Sequence, residues 1–203
     1  MKLWYSPASP FVRKVLIMAH ETGLADQLEL VDATTTPLNP NNDLAQDNPI
    51  GKIPTLVLDD GTSLFDSKVI CEYLDGLHDG DKMIPVSGAE RYNVLVTQAI
   101  GDGLMEAAVG IRYEQFLRPE EKQWDNWIEA QTRKVEQALD VLENWRGARI
   151  QDIHIGSIAV AAGLDYLDFR KFDIDWRTNR PILTQMHETF SKRESMLATQ
   201  PKG

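Results

Sequence analysis

Residues 1–31 read MKLWYSPASPFVRKVLIMAHETGLADQLELV, and the order of patterns within them decides the fold. Lys2 to Tyr5 has a strand pattern, Pro10 to Thr22 carries apolar residues at helical spacing and stops at Gly23, and Leu28 to Val31 returns to a strand pattern. That is a βαβ opening. Between the first strand and the helix stand Ser9 and Pro10. Ser is a favoured N-cap and Pro a favoured first helical residue. A hydroxyl at a helix N-terminus also lies in a field that stabilises an anion beside it. From these residues alone the structural and the chemical readings of Ser9 both stand.

Outward from this unit, the stretch DATTTPLNPNNDLAQDNPIG reads as a loop rich in Asn, Thr and Pro. Thr55 to Leu58 and Ser63 to Phe65 then flank Asp59-Asp60-Gly61 as a hairpin. A helix from Ser67 to Leu77 follows, with Val69, Ile70, Tyr73, Leu74 and Leu77 on one stripe. His78 to Gly88 has the Gly, Asp and Pro content of a linker, and every long segment after it has helical period. In RPEEKQWDNWIEAQTRKVEQALDVLENW, Pro119 opens a long amphipathic helix whose apolar stripe includes Trp124, Trp127, Ile128, Val135, Leu139, Leu142 and Trp145. IHIGSIAVAAGLDYL is apolar nearly all round and reads as the buried central helix of its domain. The organisation is therefore an α/β domain over 1–78, a linker over 79–88 and an all-α domain over 89–203.

Composition narrows the setting. A chain of 203 residues with 42% hydrophobic content can bury a real core. Its formal net charge of -10 argues against nucleic acid or an anionic membrane as main partner, so an anionic ligand needs a local positive site. One cysteine, Cys71, excludes an internal disulfide framework and reads as a packing residue. No apolar stretch reads as long enough to span a bilayer, and MKLWYSP enters a strand with no secretory pattern, so a soluble cytoplasmic protein is expected. The four histidines have no metal-ligand spacing, and no metal is expected.

Three motifs in order carry a resemblance: Ser9-Pro10-Phe11 at the first helix, Gly51-Lys52-Ile53-Pro54-Thr55 before the hairpin, and Phe65-Asp66-Ser67 before the next helix. With the helical second half, they resemble the glutathione transferase superfamily, and SPFVRK, NPIGKIPTLV and DSKVICEYL look most like its bacterial cytosolic members. The likeness covers the whole chain. It implies a thioredoxin-like N-terminal domain, an all-α C-terminal domain, and glutathione as substrate. Thioredoxin-like domains begin this helix with Cys-x-x-Cys, where the present chain has Ser9-Pro10-Phe11-Val12. A serine cannot form a mixed disulfide, yet its hydroxyl can donate to a thiolate. Ser9 is thus the expected catalytic residue, with Ser6 as the alternative position.

The resemblance further implies a cis Ile53-Pro54 bond that presents the Ile53 main chain to the cysteinyl part of glutathione like an added strand. Asp66 and Ser67, an excellent helix cap in any protein, would hold the γ-glutamyl end, and Lys52 the glycyl carboxylate. Arg13 is a weaker candidate that instead suits an ion pair or a dimer contact. An electrophilic small molecule would meet Phe11, Met105 and Tyr113, although ordinary helix packing explains these residues as well. Gly101, Gly103 and Gly110 suggest a bent or closely packed helix. Relatives begin the buried helix with a Ser or Thr cap and an Asp three residues on, whereas here His154-Ile155-Gly156-Ser157 leaves that cap in doubt. A homodimer is implied. A glutathione-dependent isomerase or dehalogenase is a close variant, and a non-enzymatic binding or regulatory protein of the same fold is the alternative.

Overall fold

The computed structural model describes residues 1–147 and 149–203. Two compact units form, one of Met1–Met83 with Glu194–Gly203 and one of Ile84–Arg193.

The first unit is built on strands β1 (Lys2–Tyr5), β2 (Glu29–Asp32), β3 (Thr55–Val57) and β4 (Ser63–Leu64), in spatial order β2-β1-β3-β4. β2 runs parallel to β1, β3 antiparallel to it, and β4 antiparallel to β3. Helices α1 (Pro10–Glu21) and α3 (Ser67–Gly76) pack together. Strand alternation divides the core between the two faces. Leu3 and its cross-strand partner Leu56 are fully buried on the side of α1 and α3. Trp4 points the other way, joining Ala33 and Leu44 with Val31, Ile53 and Val57 around them. This is the thioredoxin-like arrangement expected from the βαβ-ββα order.

Leu44 comes from a helix that the sequence pattern hides. Within the stretch read as loop lies α2 (Asn42–Asp47), capped by Asn41, whose Oδ1 accepts from the N–H groups of Asp43 at 3.1 Å and Leu44 at 2.9 Å. Six residues with a single buried side chain leave no apolar period to read. In α3 the buried face is Ser67, Ile70, Cys71, Leu74 and Asp75, while Val69 and Leu77 are exposed, so the apolar stripe is narrower than its sequence suggests.

The last ten residues, assigned by sequence to the helical domain, group with the first unit instead. The buried Arg13 guanidinium holds them, donating to the Met196 carbonyl at 3.3 Å and to Thr199 Oγ1 at 3.4 Å, near the short helix α8 (Glu194–Ala198). Arg13 thus ties α1 to the chain end.

The second unit contains α4 (Gly88–Leu117), α5 (Asp125–Asn144), α6 (Ile155–Arg170) and α7 (Pro181–Phe190). α6 is buried over most of its length, as its composition predicts. α5 begins later than expected. Pro119 precedes a 3₁₀ turn at Glu120–Lys122, and Gln123 and Trp124 are extended before Asp125 starts the helix. The buried Glu114 carboxylate closes this turn by accepting from Arg118 Nε at 2.8 Å and from the Trp124 N–H at 3.0 Å. Val135, Leu139 and Leu142 are buried as predicted, but Trp124, Trp127 and Trp145 are exposed. By length and composition α4 could cross a membrane, contrary to the expectation that no stretch would. More than half of its most apolar window is buried inside the protein, as in a core helix packed against α5 and α6.

The doubtful cap of α6 is complete. His154 Nδ1 accepts from the Ser157 N–H at 3.0 Å, and Ser157 Oγ accepts from the His154 N–H at 3.0 Å. Histidine and serine fill the roles that Ser or Thr and an acid fill in the usual box. His154 Nε2 lies 2.6 Å from the Arg149 carbonyl, which fixes the neutral ring as the Nε2–H tautomer.

Candidate functional site

The motif residues all fall in the first unit, at the N-termini of α1 and α3 and on the loop leading to β3. Ser9 is the N-cap of α1, and its Oγ accepts from the Val12 N–H at 3.3 Å. A hydroxyl used as an acceptor keeps its own hydrogen to donate, so capping and thiolate stabilisation are compatible at one side chain. Ser6 Oγ accepts from the Ala8 N–H at 3.4 Å, and the Ser6 carbonyl accepts from the Ser9 N–H at 3.1 Å. One turn therefore sets both serines, but only Ser9 caps a helix.

The Lys52-Ile53-Pro54 loop is held from beneath by Asn48, which sequence reasoning missed, and by Thr55, which it read only as the end of the motif and the start of a strand. Asn48, 1% exposed, follows α2 directly. Its Nδ2 donates to the Lys52 carbonyl at 3.0 Å and to Thr55 Oγ1 at 2.9 Å, and its Oδ1 accepts from the Ile50 N–H at 3.0 Å. Thr55 Oγ1 donates in turn to the Lys52 carbonyl at 2.9 Å. Gly51 takes a φ of +66° at the bend, a conformation that favours glycine. The only sequence signal for Asn48 was its place in a polar loop, which gives no hint of burial.

With the loop pinned, the Ile53 side chain packs toward Trp4, Ala33 and Leu44. The Ile53-Pro54 bond is cis, and the Ile53 main chain makes no backbone hydrogen bond to another described residue. Lys52 is exposed. Asp66, after a cis Phe65-Asp66 bond, caps α3 by accepting from the Lys68 N–H at 2.9 Å. Ser67, the first residue of α3, is 2% exposed. Each unit of this arrangement offers polar main chain or a hydroxyl at a helix start, where partial positive charge collects.

One titratable cluster outside these motifs could be mistaken for a metal site. Asp165, Asp168 and His187 place their ligand atoms within 4.8 Å of one another. Asp168, however, already receives Arg177 at 2.8 and 2.6 Å and the Trp176 indole N–H at 2.9 Å, while His187 Nε2 pairs with Asp165. These contacts make it an ion-pair network joining α6 to α7.

Residues 8–77 match the glutathione S-transferase N-terminal domain family. The uncharacterized GST-like protein YibF of Escherichia coli (strain K12) is 35% identical over 204 residues, spanning 99% of this chain and 98% of that protein. The chain belongs to the glutathione S-transferase family. A family member from Pseudomonas fluorescens Pf-5, crystallised with bound glutathione, superposes with a TM-score of 0.97 at 44% identity, covering 100% of this chain and 99% of that one. A second crystal structure from that organism, with bound S-(propanoic acid)-glutathione, gives 0.93 at 42% identity over the whole of both chains. Within this transferase family member the only cysteine, Cys71, is completely buried in α3.

Proposed function

We propose that the chain binds glutathione on its first unit and transfers it to an electrophilic small molecule. The observation that carries this reading is the Ile53 main chain, anchored by its side chain and by Asn48 yet without a backbone hydrogen bond among the described residues. An extended peptide can pair with such a segment as an added strand. Lys52 then supplies positive charge for the glycyl carboxylate, and Asp66 and Ser67 receive the γ-glutamyl end at the start of α3. The glutathione-bound relatives from Pseudomonas fluorescens support the same ligand.

A free thiol of ordinary acidity, with a pKa of about 8.5, is mostly protonated at neutral pH. Ser9 donates a hydrogen bond to the sulfur, which favours the thiolate, and the released proton passes to solvent. The thiolate lone pair forms a carbon–sulfur bond with the electrophile, and the displaced electron pair leaves with a leaving group or moves into an adjoining unsaturated group. The protein works as a two-fold homodimer in the cytoplasm in this reading, and light scattering giving a dimer mass at micromolar concentration checks the assembly.

Calorimetry with glutathione tests binding, and no heat at millimolar ligand overturns the reading. Binding without turnover across conjugation, peroxide-reduction and isomerisation assays favours a non-enzymatic role on the same site. Folded Ser9→Ala should lose roughly 1.5 to 3 kcal/mol of transition-state stabilisation, with the bound thiol ionising at higher pH and binding little changed. If Ser6→Ala loses rate and thiol acidity while Ser9→Ala keeps both, the catalytic assignment moves to Ser6.

A further inference from the structure

Close contacts set a register between α4 and α6. Gly156 abuts Val94 and Thr97, Gly101 abuts Ala159 and Val160, and Gly163 abuts Leu104 and Met105. Progress along one helix is matched by equal progress along the other in the same direction, so the last turn of α6 comes level with the last turns of α4. Arg112 and Arg170 are thereby brought to one end of the pair.

Both guanidiniums lie over aromatic rings. Arg112 Cζ is 3.9 Å from the Phe116 centroid, and Arg170 Cζ is 4.4 Å from that of Phe169 and 5.5 Å from that of Tyr166. Tyr166 meets Phe172 edge-on at 6.1 Å. The Tyr166 phenol, pushed up by burial, is drawn back by a hydrogen bond with Arg170 and by the charge of both arginines, and Tyr113, also pushed up by burial, is drawn back by the charge of Arg170.

What this cluster lacks is an acid. The chain has 31 acidic and 21 basic residues, and Arg118, Arg133, Arg149, Arg177 and Arg180 all pair with carboxylates. Among the described residues, neither Arg112 nor Arg170 forms an ion pair, and Arg170 Nε is buried with no hydrogen-bond partner. The carboxyl ends of the two helices ease the presence of cations there but leave Arg170 Nε without a partner among the described residues. A guanidinium stacked by its face on a ring keeps its N–H edge free, in a fork that matches a carboxylate.

We propose that the second unit binds an organic carboxylate with a flat apolar body, its charge held by Arg112 and Arg170 and its body by the surrounding aromatic rings.

Cinnamate and its neutral isostere cinnamamide, titrated by calorimetry into the whole protein without glutathione, test the site. Cinnamate should bind at least roughly tenfold more tightly than the amide, as expected for a charge-assisted pair. Arg112→Gln and Arg170→Gln should each weaken cinnamate by about tenfold and leave the amide unchanged. Arg170→Lys, which keeps the charge without the fork and serves if the Gln variant melts early, should be intermediate. Equal affinity for acid and amide, failure of both probes to bind at millimolar concentration, or undiminished cinnamate binding by the folded variants overturns the proposal. Glutathione titrated into the same preparations separates the two readings. Cinnamate binding without glutathione binding overturns only the transferase reading, and the converse overturns only this site.

Discussion

Asn48 shows how much a single buried amide can decide. Its three hydrogen bonds bind together the Lys52 carbonyl, Thr55 and the Ile50 N–H, so the main chain that faces the proposed ligand is set from below. Asn48→Ala removes all three and should cost about 1 to 3 kcal/mol by leaving buried polar groups unpaired. Glutathione should bind more weakly while turnover at saturation stays near the parent value, because Ser9 is untouched; a split between KM and kcat distinguishes this positioning role from general loss of fold. His154 carries a pH dependence. Burial holds its pKa below the ordinary 6.5 despite the Arg149 carbonyl, and only the unprotonated Nδ1 can accept from Ser157. With the folded pKa depressed, the stabilisation is complete above pH 6.5 and is lost as pH falls through the folded value. The melting temperature should therefore drop on acidification below 6.5. His154→Asn, which caps without titrating, should flatten that drop, and His154→Ala should cost about 0.5 to 2 kcal/mol at neutral pH.

At the scale of elements, α4 and α6 meet through small residues, and the glycines are not equivalent. A Cβ at Gly101 would lie 2.9 Å from the backbone of Ala159 and Val160, whereas one at Gly103 meets nothing within 4 Å. Gly101→Ala should destabilise by about 1 to 3 kcal/mol through overpacking. Gly103→Ala should stabilise by about 0.4 to 1 kcal/mol, because only the unfolded chain loses freedom. Denaturant midpoints at constant slope check both. Long periodic elements were legible in the sequence: β1, α1 and α6 begin within two residues of where their patterns place them. α2 was not, having one buried residue, and α5 starts at Asp125 because Glu114, ten residues before the Trp124 N–H it receives, closes the turn.

For the whole molecule, residues 194–203 return to the first unit, where Arg13, 4% exposed, reaches Met196 and Thr199 while Ser195 donates to Glu21 and the Lys202 N–H to the Pro7 carbonyl. Arg13→Met should keep the aliphatic packing and lose the Arg13 bonds. Amide exchange should then quicken across 194–203, with little change in α6, and uniform quickening would contradict the assignment. By itself the sequence determined the βαβ-ββα order, the helical second half and the positions of Ser9, Ile53-Pro54 and Asp66-Ser67, because periodicity, turn chemistry and caps are properties of neighbouring residues. Only the tertiary structure decided that Asn48 supports the Ile53 loop, that His154 completes a cap, that Arg13 contacts residues 196 and 199, and that the register of α4 and α6 puts Arg112 and Arg170 at one end of the pair with no ion pair among the described residues. Each of these joins groups whose hydrogen bonding or charge is settled by burial and by neighbours from other turns, loops or helices, and burial of a polar residue leaves no trace in local pattern.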